Sequence, residues 1–292
     1  MTTMDDKLNQ IASSANMTTY NEKATALYAD GAPHLKHESL RILYRKIVIE
    51  IYQEACRHSA VPVVLDLGAG EGSVTVSFLE LGAKVVAVDN SESQLKALIN
   101  KCEHFGKGLE TRLVDANDFL KNTTEKYDVI VMNSFLHHVP DYLGMISSAS
   151  KLLTARGCIF TFQDPLRYDS LDMSSKYFSA FSYFWWRIFQ GDVIRGCLRR
   201  IRRASGKYLE DSPHDNSEYH VVRNGVNQDA ITKFFNEIGF SSEIISYFST
   251  QSYYFQPLGE ALNLKNTFAV IAKANLKYNN LCKFSNLPTE RV

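Results

Sequence analysis

The sequence predicts an α/β protein built on a doubly wound, mostly parallel sheet. Three observations carry this. Seven short strand-like runs alternate with helical segments along the chain. The first run, Val63-Val64-Leu65-Asp66-Leu67, feeds a glycine-rich turn that opens a helix. The rhythm breaks once, over 165–225, and then resumes, so that stretch reads as an insertion into the order of the sheet.

Each element has its own signal. Residues 1–20 are polar and are expected to be mobile at the start. Over 35–55 the apolar residues Leu40, Leu43, Tyr44, Ile47, Val48 and Ile51 fall at helical spacing. The run 62–67 is apolar in the way of a strand buried on both faces. A short helix over 73–81 precedes a second strand over 84–89. Ser91 with Gln94 forms a capping-box pattern, opening a helix that reaches about 105 and stops at Gly106. Strands three, four and five are expected at 110–114, 127–133 and 157–163. Asp141 is placed to cap a helix through 153. After the insertion, Asn227 caps a helix to 238, and 242–248 and 267–273 read as the last two strands. The division expected is a helical cap over 1–56, a core over 57–164, an aromatic and basic insertion over 165–225, the rest of the core over 226–275 and a polar tail over 276–292.

Composition narrows the function. The chain has 292 residues, 45% hydrophobic and 22% charged, which is ordinary for a globular protein. Lys plus Arg and Asp plus Glu are 32 each, so no whole-molecule basic field draws in nucleic acid. The five cysteines are scattered without CxxC spacing, which indicates neither a zinc site nor a disulfide framework. Reduced thiols in a cytoplasmic protein are the simplest reading. The opening MTTMDDKLNQ lacks the apolar stretch of a secretory signal. The longest uncharged aromatic run, 177–186, ends at Arg187, short of the roughly 20 residues that a membrane helix needs.

The glycine turn is the most informative segment. Its spacing is Gly68-x-Gly70-x-Gly72, with Ser73 next. The dinucleotide fingerprint wants G-x-G-x-x-G, so Ser73 stands where the third glycine belongs and an NAD-dependent oxidoreductase is disfavoured. Asp66, two residues before the turn, suits an amine-bearing ligand better than a pyrophosphate. Asp89 ends the second strand about 20 residues on, where this architecture holds ribose hydroxyls through a carboxylate. Asp115 and Ala116 come after the third strand, where an adenine amino group is read.

Asp66-Leu67-Gly68-Ala69-Gly70-Glu71-Gly72, then Val88-Asp89, Val114-Asp115-Ala116 and Tyr127-Asp128-Val129-Ile130, resemble the successive motifs of class I S-adenosylmethionine (SAM)-dependent methyltransferases. The resemblance covers about 35–153 by motif and reaches 273 by strand order. It implies a Rossmann-like, seven-stranded sheet with a reversed last strand and a helical lid inserted after strand five. It also implies roles. Gly68 and Gly70 approach the amino-acid part of SAM, and Asp66 orients either the turn or the SAM amino group. Asp89, with Asn90 beside it, holds the ribose; Asp115 and the Ala116 backbone meet the adenine; Asn133 lies by the methionine part. Tyr20 and Tyr28 stand where related families close a tyrosine over SAM, and packing on the sheet is the alternative.

The acceptor is read from the segment after strand four, Asn133-Ser134-Phe135-Leu136-His137-His138-Val139-Pro140. It lacks the N/D-P-P-Y/F of base amino-methyltransferases and the Pro-Cys of C5-cytosine enzymes. Asn133 replaces the acid that metal-dependent catechol-type enzymes need, so no metal is expected. The segment is similar to the L-H-H-V turn of small-molecule and quinone methyltransferases. A hydroxyl acceptor must lose a proton, and a neutral histidine is the natural base near pH 7. His137 and His138 come first, then His34 and His37, then His214 and His220, each with a structural role as the alternative.

The insertion is aromatic over 177–189 and then basic, with Arg195, Arg199, Arg200, Arg202, Arg203 and Lys207 uninterrupted by an acid. Three readings stay open: a lid helix with a solvated basic face, peripheral membrane contact through 177–207, and an anionic acceptor drawn in by arginines. Tyr219 and His220 are weaker pocket-mouth residues. Nucleic acid is not expected, and the sequence assigns no oligomeric state. The expected function is SAM-dependent methylation of a small apolar or aromatic metabolite at oxygen, leaving S-adenosylhomocysteine. The alternatives are N- or C-methylation of a lipid, quinone or carrier-bound substrate, and SAM binding without transfer.

Overall fold

The computed structural model describes residues 4–19, 32–189, 202–203, 206–209 and 212–274. Its centre is a seven-stranded sheet in the order β3-β2-β1-β4-β5-β7-β6. The strands are β1 (Val63–Leu67), β2 (Lys84–Asp89), β3 (Leu109–Leu113), β4 (Tyr127–Asn133), β5 (Leu153–Pro165), β6 (Phe240–Tyr247) and β7 (Thr267–Ala274). The pairs from β3 to β5 are parallel, and β7 runs antiparallel to both β5 and β6. The reversed last strand is therefore present.

Position in the sheet explains strand composition. β1 and β4 are central and covered on both faces, so they are largely apolar. Alternate residues feed two cores. Val64, Val129 and Val131 join Ile47, Phe78 and Phe160 on one face. Leu65, Ile130 and Met132 join Ile146, Phe235 and Phe268 on the other. The edge strand β3 is more polar and half exposed.

The helices are α1 (Met4–Thr19), α2 (Pro33–Lys36), α3 (Glu38–Cys56), α4 (Ser73–Glu80), α5 (Glu92–Cys102), α6 (Ala116–Asn122), α7 (Tyr142–Ser150), α8 (Met173–Phe189), α9 (Pro213–Asn216), α10 (Gln228–Glu237) and α11 (Phe255–Ala261). Several differ from expectation. Residues 4–19 of the polar opening stretch form a helix. Among the described side chains of α1, the buried ones are the small residues Ala12 and Ala15, so it carries no strong apolar stripe. α5 stops at Cys102 and passes into a 3₁₀ turn, Glu103–Gly108. α6 and α11 are short helices that periodicity missed. α7 ends at Ser150 because β5 starts at Leu153, earlier than the apolar run 157–163.

The insertion leaves and rejoins the sheet at a narrow neck, where Leu166 pairs with Val226. Gly225 sits there at φ 71°, and a Cβ on it would lie 2.2 Å from the Leu166 carbonyl oxygen. Only glycine closes that neck without displacing backbone. Among the described residues no helix is long and apolar enough to cross a membrane.

Candidate active site

A cavity of about 880 Å³, its mouth included, opens at the carboxyl ends of β1, β2 and β4. This is where open α/β sheets place ligands, because the turns into the helices diverge there. Gly68, Gly70, Asp89, Asn90, Asp115, Ala116 and Asn133 all line it. Turns far apart in sequence thus bring together seven of the eight motif residues that the resemblance implies, all but Asp66.

The glycine turn is shaped by packing as well as by ligand access. Gly68 adopts φ 70°, and a Cβ there would lie 2.2 Å from the Phe135 ring. Asp89 ties the turn to β2. Its Oδ2 accepts the Gly70 N–H at 2.8 Å and its Oδ1 accepts the Ser91 N–H at 2.8 Å. Burial raises its pKa, and those N–H donors hold it down in opposition.

Asp66 is placed differently. It is buried behind the turn and does not line the cavity. Its Oδ2 accepts the Thr75 hydroxyl at 2.6 Å, linking β1 to α4. Burial pushes its pKa up to about 7. Of its two expected roles, the geometry favours orienting the turn. Tyr28 and Tyr20 lie outside the described residues.

Asp115 caps α6. Its Oδ1 accepts the Asn117 N–H at 2.8 Å, and its Oδ2 accepts the Ser13 hydroxyl of α1 at 2.6 Å. Asn133 ends β4, and its amide donates to His34 Nε2 at 3.4 Å. Its Oδ1 is buried without a partner among the described residues, as is Gln94 Oε1 on the same wall. Orphaned acceptors on residues that line a cavity fit a ligand rich in N–H donors.

The histidines separate by environment. His34 is fully buried between Tyr44 and Phe162, and burial lowers its pKa to about 4. His138 lines the cavity. Its Nδ1 meets the Ser217 carbonyl, and burial, then the charge of His137, lowers its pKa to about 4. His137 is behind it, with ring centroids 4.1 Å apart. Burial lowers His137, but its 2.8 Å hydrogen bond to Asp164 and that carboxylate's charge outweigh burial and leave it raised. His220 Nε2 donates to the Val139 carbonyl, and its pKa falls to about 4 through burial. His37 Nε2 donates to the Thr250 carbonyl at 2.6 Å. The last two are structural contacts, and the His214 side chain is outside the described residues.

Asp164 is a functional candidate that the sequence motifs did not single out, and Glu218, the acid of the pocket-mouth segment that holds Tyr219 and His220, reaches the histidine pair. Gln163 takes a left-handed φ of 67° where the β5–β7 register shifts, and Asp164 comes next, against His137. Ser134, at φ 51°, lies on the neighbouring strand end. Two non-glycine residues in this conformation flank the histidines, as is common where strain serves function. The signal for Asp164 was an acid at the carboxyl end of an apolar strand, the same one that marked Asp89. His137, His138 and Glu218 hold ligand atoms within 4.8 Å of one another. That donor set bears on the expectation of no metal, which rested on Asn133 alone.

Residues 65–159 match a family model described as a methyltransferase domain. Over 101 residues the chain is 35% identical to a ubiquinone biosynthesis O-methyltransferase of Actinobacillus pleuropneumoniae serotype 5b (strain L20), covering 33% of this chain and 43% of that protein. Over 97 residues it is 31% identical to the enzyme of that name from Thiobacillus denitrificans (strain ATCC 25259 / T1), covering 33% and 42%. The match thus spans under half the length of these curated relatives. Magnesium protoporphyrin IX methyltransferase from Synechocystis PCC 6803, solved with bound SAM, superposes with a TM-score of 0.52 at 14% identity, over 90% of this chain and 97% of that one. The plantazolicin methyltransferase BpumL, in complex with S-adenosylhomocysteine (SAH), gives 0.51 at 13% identity, over 92% and 98%. These two likenesses are of fold, a Rossmann-like sheet with one reversed strand.

The methyltransferase-domain match stops at 159, before the insertion. Beyond it, the basic run is partly internal. Buried Asp215 accepts Arg202 at 2.7 Å and Arg203 at 2.8 Å. Arg223 stacks on Tyr219 at 3.6 Å and on Tyr208 at 4.4 Å. Tyr219 therefore packs within the insertion and does not line the cavity. Arg195, Arg199 and Arg200 lie outside the described residues.

Proposed function

We propose that this chain transfers a methyl group from SAM to an oxygen of a small apolar or aromatic acceptor. The observation that carries the reading is the convergence of Gly68, Gly70, Asp89, Asn90, Asp115, Ala116 and Asn133 on one cavity that also holds His138. The orphaned Asn133 and Gln94 oxygens fit the amine and amide-like donors of such a cofactor. When bound, SAM supplies a methyl group already activated by its sulfonium charge. Asp89 and Asn90 hold the ribose, Asp115 and the Ala116 backbone hold the adenine, and the Gly68–Gly70 backbone with Asn133 faces the methionine part. Asp66 acts through Thr75 by orienting the turn.

Alignment of the acceptor in a water-poor cavity is the main catalytic contribution. His138 lines the cavity, stays neutral at pH 7 and takes the acceptor proton. His137, held by Asp164, stands behind it. The relatives named for ubiquinone biosynthesis favour a quinone-like phenol. The transfer in this reading is metal-free.

A thermal-shift titration with SAH, SAM and NADH in parallel tests it. SAH at about 100 times its Kd adds roughly 2.7 kcal/mol, a shift of a few degrees, and NADH adds none. No shift with SAH would overturn the reading. Mass and NMR analysis of the product then separates O- from N- or C-methylation.

One observation favours a finer reading of the partner, contact with an anionic membrane surface. Met173, Tyr177, Phe181, Phe184, Trp185 and Ile188 are all exposed on α8. Their spacing makes one continuous apolar stripe. The opposite face, with Ser175, Phe178 and Ser182, packs inward, Phe178 against Phe248 and Phe255. An outward aromatic stripe beside Arg187 and the arginines further along the sequence has the character of an interfacial helix. It also suits delivery of a lipid-like acceptor.

A further inference from the structure

We infer that α1 belongs to the nucleoside site, and that Ser13 and Asn16 help it to read the exocyclic amine of the adenine. The inference rests on the SAM reading of the cavity.

Asn9, Ala12, Ser13 and Asn16 line the cavity from one side. Their spacing is i, i+3, i+4, i+7, so a single face of α1 forms that wall. The helix is anchored along its length. Asp6 pairs with Lys121 of α6 at 3.4 Å, and Asn9 Oδ1 accepts the Asp141 N–H at 3.2 Å. Ala12 and Ala15 are buried, and α1 packs on α9 of the insertion.

Ser13 bridges the two loops that a nucleoside must span. Its hydroxyl accepts from Asn90 Nδ2 at 2.9 Å and donates to Asp115 Oδ2 at 2.6 Å. Asp115 Oδ1 is already committed to capping α6. Ser13 therefore sets the direction of Oδ2, the oxygen left for a ligand. A carboxylate oxygen accepts more than one hydrogen bond, so Oδ2 keeps Ser13 and takes a ligand N–H as well. One turn further along α1, Asn16 Oδ1 is buried with no partner among the described residues. An exocyclic amine has two N–H donors, and this wall offers two acceptors, Asp115 Oδ2 and Asn16 Oδ1.

The test is calorimetric titration of the full chain with SAH and with S-inosylhomocysteine, whose 6-oxo group replaces the amine. Asn16→Leu is expected to weaken SAH about tenfold and S-inosylhomocysteine hardly at all. Ser13→Ala is expected to weaken SAH about threefold to tenfold with the same preference. Asn16→Asp, which keeps an oxygen acceptor, should bind SAH within about twofold of the parent. Unchanged SAH affinity in both Asn16→Leu and Ser13→Ala would overturn the inference. So would an equal loss for the two ligands, which would mean general packing. If the folded parent chain binds no SAH, the SAM reading itself fails and this inference falls with it.

Discussion

The cofactor side of the molecule and the insertion are built by different means. The cofactor side is made from strand ends and the turns after them. Gly68 and Gly70 come after β1, Asp89 ends β2, Asp115 comes after β3 and Asn133 ends β4. Each is placed by its own strand, and the parallel register brings the strand ends level. The insertion is made by contacts across sequence. Asp215 gathers Arg202 and Arg203, Arg223 stacks on two tyrosines, and Leu166 meets Val226 at the neck. A buried carboxylate holding two guanidinium groups turns part of a basic run into an internal brace. The methyltransferase-domain match ends at 159, on the cofactor side of this divide. Chemistry tied to the sheet is readable from a motif, whereas the insertion rests on packing that no local motif records.

Asp89→Ala should break the cofactor side most severely. It removes the acceptor of the Gly70 and Ser91 N–H groups as well as the proposed ribose contact, so SAH affinity should fall about 100-fold or more. Calorimetry that returned the parental Kd would show that this carboxylate holds no cofactor.

Next is the pH dependence of kcat/KM. His138 lines the cavity, burial lowers its pKa to about 4, and the reaction needs its unprotonated form. Activity should therefore hold through neutral pH and fall roughly tenfold per unit only as pH drops below about 4. If His137 were the base, the falling limb would lie above 6.5, where Asp164 raises it. Repeating the profile with a chelator sharpens the result. An unmoved limb and rate support proton transfer without a metal, whereas lost activity would give His137, His138 and Glu218 a ligand role.

The smallest effect concerns α8. Replacing Phe181 and Trp185 together by Ser should cut flotation with phosphatidylglycerol-containing vesicles about fivefold and leave SAH affinity unchanged. Equal flotation of parent and variant would remove the membrane from this side and leave a lid.

Much of the fold was legible because its strands are buried on both faces. β2 and β4 fall on the ranges expected from 84–89 and 127–133. The caps Ser91, Asp141 and Asn227 each accept the expected backbone N–H. Weak signals misled. α1 buries alanines, and α6 and α11 are too short for periodicity to register.

The sequence by itself determined the strand order's rhythm, the glycine turn and the acids at the ends of β2 and β3, because each depends on a few neighbouring residues and a repeating spacing. Only the tertiary structure decided that Asp66 faces Thr75 rather than the cavity, that Asp164 supports His137, and that α1 reaches Asp115 with Ser13. Those contacts join residues 9, 27 and 102 positions apart. A hydrogen bond across such distances depends on where the packed sheet and helices put its two ends, and no short window of sequence contains both.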